Sequence, residues 1–351
     1  MRITDASGDS VLLLKRKAQR VVAQARRASR RGVALLSVLW LAAALSAIAL
    51  TVANMVRAET ERSMTNKDAL RAYYLASGAI DRALLYMQWG PQYSNPDGSP
   101  KYYRYPMPVM RFDFPSGIAS VEIIPENSKL NLNLAPAPEL KNLLLALGVD
   151  PARADGITAG ILDWRSPSPG GSFTEFDQYY LSQTPSFRAR HSSFEEIEEL
   201  LLVRGVTPDL FYGSYSRNPD GRLIPHAGLR DCVSVYGAAN AMDVNTIQPA
   251  VMQAIGIPPD IAAAIVVLRN AAPIHGMDQL ASVQSSVPAM GRLGLMTNSI
   301  MTLRATARLK LPGGKLSDAR RSVSALVKFQ MNGADPPYNI LRWYDNAPSL
   351  Q

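Results

Sequence analysis

The chain has 351 residues, of which 47% are apolar and 19% charged, and its formal net charge is +8. This composition excludes a disordered chain, and the length suffices for about two domains with cores of their own. One cysteine, Cys232, and three histidines, His191, His226 and His275, exclude a disulfide scaffold, a zinc finger and an iron–sulfur centre.

The positive charge is concentrated at the amino terminus. Residues 1–31 hold nine Lys or Arg and two Asp, so they account for +7 of the net charge. A pI of 9.6 would otherwise suggest nucleic-acid binding. The rest of the chain, however, has almost no positive excess with which to neutralise phosphates. We interpret residues 1–32 as a basic leader, and the apolar segment that follows it indicates that this leader lies on the cytoplasmic side of a membrane.

An apolar segment follows the leader directly. Residues 33–53 contain no charge and would span about 31 Å as a helix, close to the roughly 30 Å of a bilayer core. The positive-inside rule places the residues after about 57 outside the cytoplasm. A cleaved secretory signal with a small-residue site at 47–49 is the alternative, but the apolar run is longer than an ordinary signal core.

The same helix is predicted to continue to residue 89, where Gly90 and Pro91 end it. Apolar and small residues recur at intervals of three and four, which places them on one helical face that we expect the protein's own sheet to cover. The predicted face comprises Leu70, Tyr73, Ser77, Ile80, Leu84 and Met87.

Beyond the helix, residues 91–118 read as a loop, and strands are predicted far apart in the chain. β-branched residues and turn signals predict strands at 119–125, 232–236, 300–309, 322–329 and 338–344, with a turn at Pro312-Gly313-Gly314.

An internal repeat lies between these strands. Asn131-Leu132-Asn133 precedes predicted helices at 139–147 and 152–164, and Asp243-Val244-Asn245 precedes helices at 249–255 and 260–269. Each unit has a helix-ending glycine, Gly148 or Gly256. A further short helix is predicted in each unit, at 194–203 and at 277–283.

Several motifs occur in a characteristic order: RGVALL at 31–36, ASGAIDRAL at 76–84, KLNLNLAP at 129–136, ILDW at 161–164, EEL and VRG within 198–205, and DVNT at 243–246. Over residues 31–345 the chain resembles the type IV prepilins and pseudopilins, and specifically the protein K family of the type II (general) secretion pathway. This resemblance implies an α+β, pilin-like fold. It would have a long N-terminal transmembrane and spine helix, an antiparallel sheet, and a large α-helical insertion of two SAM-like, helix-hairpin-like units.

The implied domain boundaries follow the motifs. They are a leader at 1–32, a transmembrane and spine helix at 33–90, a first part of the sheet at 91–128, a first helical unit at 129–228, a sheet strand at 229–240, a second helical unit at 241–298 and C-terminal strands at 299–351.

The resemblance also implies a non-enzymatic role as a minor pseudopilin at the tip of a periplasmic pseudopilus. A prepilin peptidase would cut between Gly32 and Val33. Ser37 then occupies the fifth mature position, where most pilins have a glutamate that pairs with a neighbouring subunit. The implied partners are the minor pseudopilins I and J, the major pseudopilin, the peptidase and the bacterial inner membrane, with secreted proteins as further candidates.

Nucleic-acid binding and catalysis are the alternatives to this structural role. The repeats resemble helix-hairpin-helix modules, so an alternative is a membrane-anchored, extracytoplasmic DNA-binding protein. Asp150 in the first turn would repel phosphate, however, and Pro258 in the second lacks an N–H. No catalytic residue is assigned, because the catalytic motifs HExxH and GxSxG are absent and Gly313-Gly314-Lys315 reads as a hairpin turn. His191 and His275 are expected to be solvated or capping, and Cys232 a small buried thiol in a strand.

A calcium site is the remaining candidate. Asp163, Glu175 and Asp177 flank the loop at 165–173, and carboxylate oxygens are ligands that Ca²⁺ prefers. The resemblance implies calcium in the helical domain, but the positions where the family has further aspartates hold Ser166-Pro167-Ser168-Pro169. Helix caps are therefore favoured over Ca²⁺ at these three carboxylates. The acidic residues Glu195, Glu196, Glu198 and Glu199 are predicted to form an exposed helix face.

Overall fold

The computed structural model describes residues 8–237, 241–281, 287–295, 299–330 and 335–347. Parts of the predicted leader (1–7), the 229–240 strand (238–240), the 277–283 helix (282–283), the second helical unit (282–286 and 296–298) and the C-terminal strands (331–334 and 348–351) lie outside the described residues.

The helices are α1 (Gly8–Trp89), α2 (Ala137–Ala146), α3 (Pro151–Arg165), α4 (Glu175–Leu181), α5 (Pro208–Tyr212), α6 (Leu229–Cys232), α7 (Pro249–Ala254) and α8 (Pro259–Ala271). Short 3-10 helices span Glu126–Ser128, Pro169–Gly171, Ile197–Leu202, Met277–Leu280 and Pro288–Arg292. The strands are β1 (Val109–Phe114), β2 (Gly117–Pro125), β3 (Leu130–Asn131), β4 (Ser214–Arg217), β5 (Leu223–His226), β6 (Val233–Ser234), β7 (Met242–Asp243), β8 (Leu293–Gly294), β9 (Ile300–Leu309), β10 (Arg321–Phe329) and β11 (Tyr338–Tyr344).

The predicted long helix is confirmed, and it ends where Gly90 donates its N–H to the Tyr86 carbonyl at 2.9 Å. It also extends back through the leader to Gly8, which was not predicted. Residues 9–31 contain neither glycine nor proline and are rich in Ala, Leu, Arg and Gln, all strong helix formers. The chain divides into two compact units, one ending at Asp68 and one beginning at Ala69.

Within the first unit, the helix from Leu35 onward is long and apolar enough to cross a membrane. Its most apolar 18-residue window has a mean hydropathy of 2.3, and none of that window is buried within the protein. Large apolar side chains such as Trp40 (70% exposed) and Leu45 (58%) are uncovered, which is the pattern of a helix that faces lipid or other helices.

The second unit is built on a five-stranded antiparallel sheet with the order β1-β2-β9-β10-β11. Strands β2 and β9 are neighbours although residues 126–299 separate them in sequence. Pro125 at the end of β2 pairs in register with Met301 near the start of β9. The whole helical insertion therefore leaves and re-enters the sheet at adjacent positions. The α+β, pilin-like arrangement predicted from the sequence is confirmed in this respect.

Two strand predictions were wrong. Residues 91–118 contain β1, whose buried Met110 and Phe112 alternate with the charged Arg111 and Asp113. This short amphipathic strand was obscured by the surrounding prolines.

The predicted sheet strand at 229–240 does not join the main sheet. Cys232 ends helix α6, because the Asp231 carboxylate accepts the Gly228 N–H at 3.2 Å and stabilises a helical turn. Val233 and Ser234 then pair in parallel with β3.

Helix α1 packs its predicted face on the sheet, with one exception. Ile80, Leu84 and Met87 are buried as predicted. Leu70 is 55% exposed, since it precedes the first covered residue, Ala72. The buried face is rich in alanine, which allows the sheet to approach the helix closely. It comprises Ala72, Leu75, Ala76, Ala79, Ile80, Ala83, Leu84 and Met87.

The predicted internal repeat is visible in individual hydrogen bonds. The side chain of Asn133 donates to the Phe194 carbonyl at 3.0 Å and accepts the Phe194 N–H at 2.7 Å. Asn245 makes the same pair with Ile274, at 3.0 and 2.8 Å. Each asparagine thus ties the start of its unit to the segment that follows the second helix.

Two arginines repeat in the same way. Arg165 donates to the carbonyls of Leu132 and Ala135, and Arg269 donates to those of Val244 (3.0 Å) and Ile247 (2.6 Å). Each unit also closes with a two-residue parallel strand pair, β3–β6 in the first and β7–β8 in the second. Both units contribute to one shared apolar core. The insertion is therefore two copies of one module, packed as a single body.

A buried carboxylate joins the second module to the loop after α1. Asp243, which is fully buried, accepts hydrogen bonds from the hydroxyls of Tyr105 (2.5 Å) and Thr246 (2.6 Å). Burial raises the pKa of Asp243 above its ordinary value, although both hydroxyls and the charge of Arg269 oppose the shift. Ionised Asp243 is therefore less favourable in the folded protein than in the unfolded chain.

We expect Asn245→Ala to lower the free energy of unfolding by about 2–4 kcal/mol, because it leaves a buried N–H and a buried carbonyl of Ile274 unpaired. Urea unfolding of the full chain in detergent, followed by tryptophan fluorescence, measures this. Asn142→Ala, at an exposed position of α2, is the control and should change stability by less than about 0.5 kcal/mol. Equal effects of the two substitutions would contradict the structural role of Asn245.

We expect Asp243→Asn to stabilise the protein at pH 7, with a gain that disappears toward pH 4. Below about 3.9, the ordinary Asp value, the carboxyl is protonated in both states. As the pH rises, the unfolded state ionises first, so the native state loses stability up to and through its raised pKa.

Thermal unfolding of wild type and variant between pH 4 and 8 measures this difference. The exposed Asp220→Asn is the control, and its curve should follow wild type. A pH-independent gain in Asp243→Asn would contradict the assignment.

Candidate assembly site

The processing junction predicted at Gly32 and Val33 lies inside α1, where the backbone is helical. The side chains of residues 21–34 lie outside the described set. Ser37, at the predicted fifth mature position, is exposed on the helix. Cleavage at this junction stays a prediction.

The sheet has two different faces, and the helical insertion packs on the one that is turned away from α1. Alternate residues of β2, including Val121 and Ile123, face the α1 core. The residues between them, including Glu122 and Ile124, face the insertion. Because β-strand side chains alternate, one strand serves both the spine helix and the helical insertion.

Charged groups dominate the contact between the sheet and the insertion. On β9, Arg304 lies 3.1 Å from the Glu122 carboxylate and 3.8 Å from that of Asp231 on α6. The Glu126 carboxylate accepts hydrogen bonds from Lys129 (2.8 Å) and Thr302 (2.6 Å). These ionic groups are nearly buried, so each must keep its partner, and removing one partner leaves a buried charge.

A cavity of about 320 Å³ remains between the sheet and the insertion. Its lining includes Ile124 and Leu326 from the sheet and Tyr212, Arg230 and Val233 from the insertion. Burial lowers the pKa of Arg230, whose guanidinium lies 5.1 Å from the centre of the Tyr212 ring. The contact thus combines charged and apolar side chains and is incompletely filled, unlike the two apolar cores on either side of it.

The acidic residues at 195–199 are not the simple exposed face that the sequence predicted. Glu196 pairs with Arg342 of β11, and Glu195 pairs with Arg190. The Glu199 carboxylate accepts the Trp164 indole N–H at 2.9 Å. Three of the four carboxylates therefore fix the 3-10 helix to the sheet and to the first module, which periodicity alone could not show.

The three candidate calcium ligands do not converge. Asp177 is fully buried, and its carboxylate receives the N–H groups of Thr174 (3.3 Å) and Ala189 (3.2 Å). Asp163 accepts from the Thr174 hydroxyl at 3.3 Å. Glu175 points away with a side chain 86% exposed, 3.7 Å from Arg204. Within the described residues, no three His, Cys, Asp or Glu side chains gather as a metal site. These carboxylates do not fit a shared Ca²⁺.

His191 belongs to the same cluster. Of the two roles predicted for it, solvated or capping, the structure favours capping, because its Nδ1 lies 3.2 Å from the Asp163 and Ser166 carbonyls at the end of α3. Its Nε2 lies 2.9 Å from Asp177, and the ring is nearly buried. Burial alone would lower the pKa of His191, but the hydrogen bond to Asp177 outweighs it and raises the pKa. For Asp177 the effects have the opposite signs. Burial alone would raise the pKa of this carboxyl, but the hydrogen bonds that it accepts, first that of His191, outweigh burial and hold the pKa below its usual range. No motif in the sequence links His191 to the two aspartates.

The other two histidines and the cysteine lie outside this cluster. His275 is exposed, as predicted, and the His226 ring lies 2.7 Å from the Ser216 hydroxyl across the β4–β5 hairpin. Cys232 is completely buried, as predicted, although it ends helix α6 and does not lie in a strand; burial raises the pKa of the thiol.

The helix-hairpin turns are engaged within the protein. The Asp150 carboxylate accepts the N–H groups of Ala152 (3.0 Å) and Arg153 (3.2 Å) at the start of α3. Those are the groups that a helix start would offer to a phosphate. The first turn therefore caps its own helix, and the nucleic-acid alternative loses its contact there.

Comparisons with known proteins agree with this architecture. The family model described as type II secretion system (T2SS), protein K, first domain, matches residues 125–212. The type II secretion system protein K of Klebsiella pneumoniae is 25% identical over 237 residues, covering 63% of this chain and 67% of that protein.

A chain of the crystal structure of the GspK-GspI-GspJ complex from enterotoxigenic Escherichia coli has the same fold. The TM-score is 0.51 at 16% identity, over 82% of this chain and 100% of that one. None of these comparisons supports nucleic-acid binding. The family model and the relative agree with the motifs of the sequence, and the chain is similar to the type II secretion system protein K family.

Proposed function

We propose that this protein, a minor pseudopilin by its family, is the tip subunit of a periplasmic pseudopilus and has a structural role without catalysis. The observation that carries the proposal is the register pair Pro125–Met301. Because the insertion of residues 126–299 leaves and returns at this pair, the two-module body is mounted on one end of two adjacent strands.

The mounting supports a cap. A pilin-like subunit adds to a filament through its helix and sheet, and a second body fixed to the sheet by ion pairs occupies space that a following subunit would need. Ser37 also supports the cap role. Most pilins have a glutamate at this position to pair with a neighbouring subunit, and a subunit with no neighbour above it needs no such carboxylate. An unpaired carboxylate in an apolar filament core would be costly.

Location and partners follow from the helix and the family. The exposed apolar helix would hold the protein in the inner membrane, with the leader in the cytoplasm and the second unit in the periplasm. The solved relative comes from a complex named for GspK, GspI and GspJ, so we propose minor pseudopilins I and J as partners. The major pseudopilin, the prepilin peptidase and secreted proteins complete the proposed set.

We expect the mature protein to begin at Val33. Amino-terminal sequencing of protein purified from cells with and without prepilin peptidase tests this, and Gly32→Val should leave the leader attached. Gly78→Ala is the control, because this helical glycine has open space for a methyl group and should not affect processing. An amino terminus near residue 50 would indicate an ordinary signal peptide, and one at Met1 a plain anchor.

We expect replacement of residues 126–299 by an Asn-Gly turn to abolish the cap role while leaving the spine helix and sheet folded. The two strands are antiparallel neighbours, so a short hairpin can join them. Removing only one module would instead expose the core that both modules share.

Secretion of a pathway substrate into the medium measures the cap role, and membrane fractionation with immunoblotting checks that the variant is inserted and stable. Asn142→Ala serves as the control with the insertion intact. Normal secretion by a stable variant without the insertion would refute the cap.

A further inference from the structure

Three separate segments of the first module meet around one buried carboxylate. Asp177, at the start of α4, is fully buried. Its Oδ1 accepts the Ala189 N–H at 3.2 Å, and its Oδ2 accepts that of Thr174 at 3.3 Å and lies 2.9 Å from His191 Nε2. The Arg188 guanidinium is 3.7 Å away and half-exposed. A buried carboxylate needs such partners, and the imidazole is the nearest of them.

The other ring nitrogen of His191 also faces only oxygen atoms. Its Nδ1 lies 3.2 Å from the Asp163 carbonyl and 3.2 Å from the Ser166 carbonyl, at the end of α3. Since carbonyl and carboxylate oxygens accept hydrogen bonds, both nitrogens of the ring are placed as donors. The ring therefore joins the end of α3 to the start of α4.

The backbone of His191 shows that this position is specified. Among the described residues it is the one non-glycine residue with a positive φ, at 51°. The left-handed conformation costs an ordinary residue about 1–2 kcal/mol, so the contacts of the side chain must offset that cost.

The oxygen atoms around the ring are of the kind that a hard cation would bind: one carboxylate and two backbone carbonyls, with the Asp163 carboxylate close by through Thr174. The imidazole lies among them. We infer that the side chain of His191 fills the position of a cation in the first helical module, which consequently keeps its fold without calcium. This inference concerns the module alone and does not depend on the proposed cap role.

Calcium addition to the full chain in detergent tests the inference directly. Thermal unfolding followed by tryptophan fluorescence reports on the module, because Trp164 of α3 is buried, contacts the Tyr180 ring of α4 and stacks on Phe194. We expect the same melting temperature in calcium chloride and in EDTA. A rise of the melting temperature of wild type in calcium would overturn the inference.

His191→Asn tests the role of the ring. Asparagine tolerates the left-handed backbone but cannot bridge both sets of oxygens. We expect a melting temperature lower by roughly 3–10 °C, from the loss of charge-assisted hydrogen bonds in a chain of this size. His275→Asn is the matched control at an exposed histidine and should match wild type.

Two further outcomes decide the matter. A calcium-dependent rise confined to His191→Asn would support the inference, since the vacated oxygens would then accept a cation. An unchanged melting temperature in His191→Asn would overturn it. Should this variant fail to fold, isothermal titration of the wild-type protein with calcium chloride still decides, because measurable binding at this module contradicts an occupied position.

Discussion

The pairing of β2 with β9 is the constraint on which the rest of the structure depends. These strands lie in the middle of the sheet, yet the whole helical insertion separates them along the chain. Their pairing closes a very long loop, which is entropically costly, and the cost is reduced because the insertion is itself a compact body with near-adjacent ends. The insertion therefore acts as a folded connection between two sheet neighbours.

The same strands connect three layers of different chemistry. One face of β2 and β9 packs apolar residues against the alanine-rich side of α1. The other face meets the insertion through Arg304, Glu122 and Asp231. Apolar burial holds the sheet on the spine helix, whereas ion pairs form part of its contact with the insertion, where loss of one partner would leave a buried charge.

Periodicity and capping signals in the sequence predicted the long helix, both repeats and four of the five sheet strands. These features depend on local pattern, and the structure preserves them. The failures have long-range causes. Leu70 fits the helical stripe but lies before the region that the sheet covers, and Cys232 lies in an apolar run that Asp231 turns into a helix.

The candidate site could be predicted less well, for the same reason. Asp163 and Asp177 were recognised as carboxylates that flank one loop, whereas His191 carries no carboxylate and reaches them only through the folded path of the segment after α4. Glu196 likewise finds Arg342 nearly 150 residues away. No spacing rule links such positions, so only the fold brings them together.

The two modules differ at one informative position. Asn131 of the first module corresponds to Asp243 of the second, since Asn131 ends β3 and Asp243 ends β7. The amide of Asn131 donates to the Gly237 carbonyl, whereas the carboxylate of Asp243 can only accept and so receives the Tyr105 hydroxyl. Exchanging one nitrogen for one oxygen gives a duplicated scaffold two different attachments: one copy is secured to its own closing segment, and the other to the loop that leaves the spine.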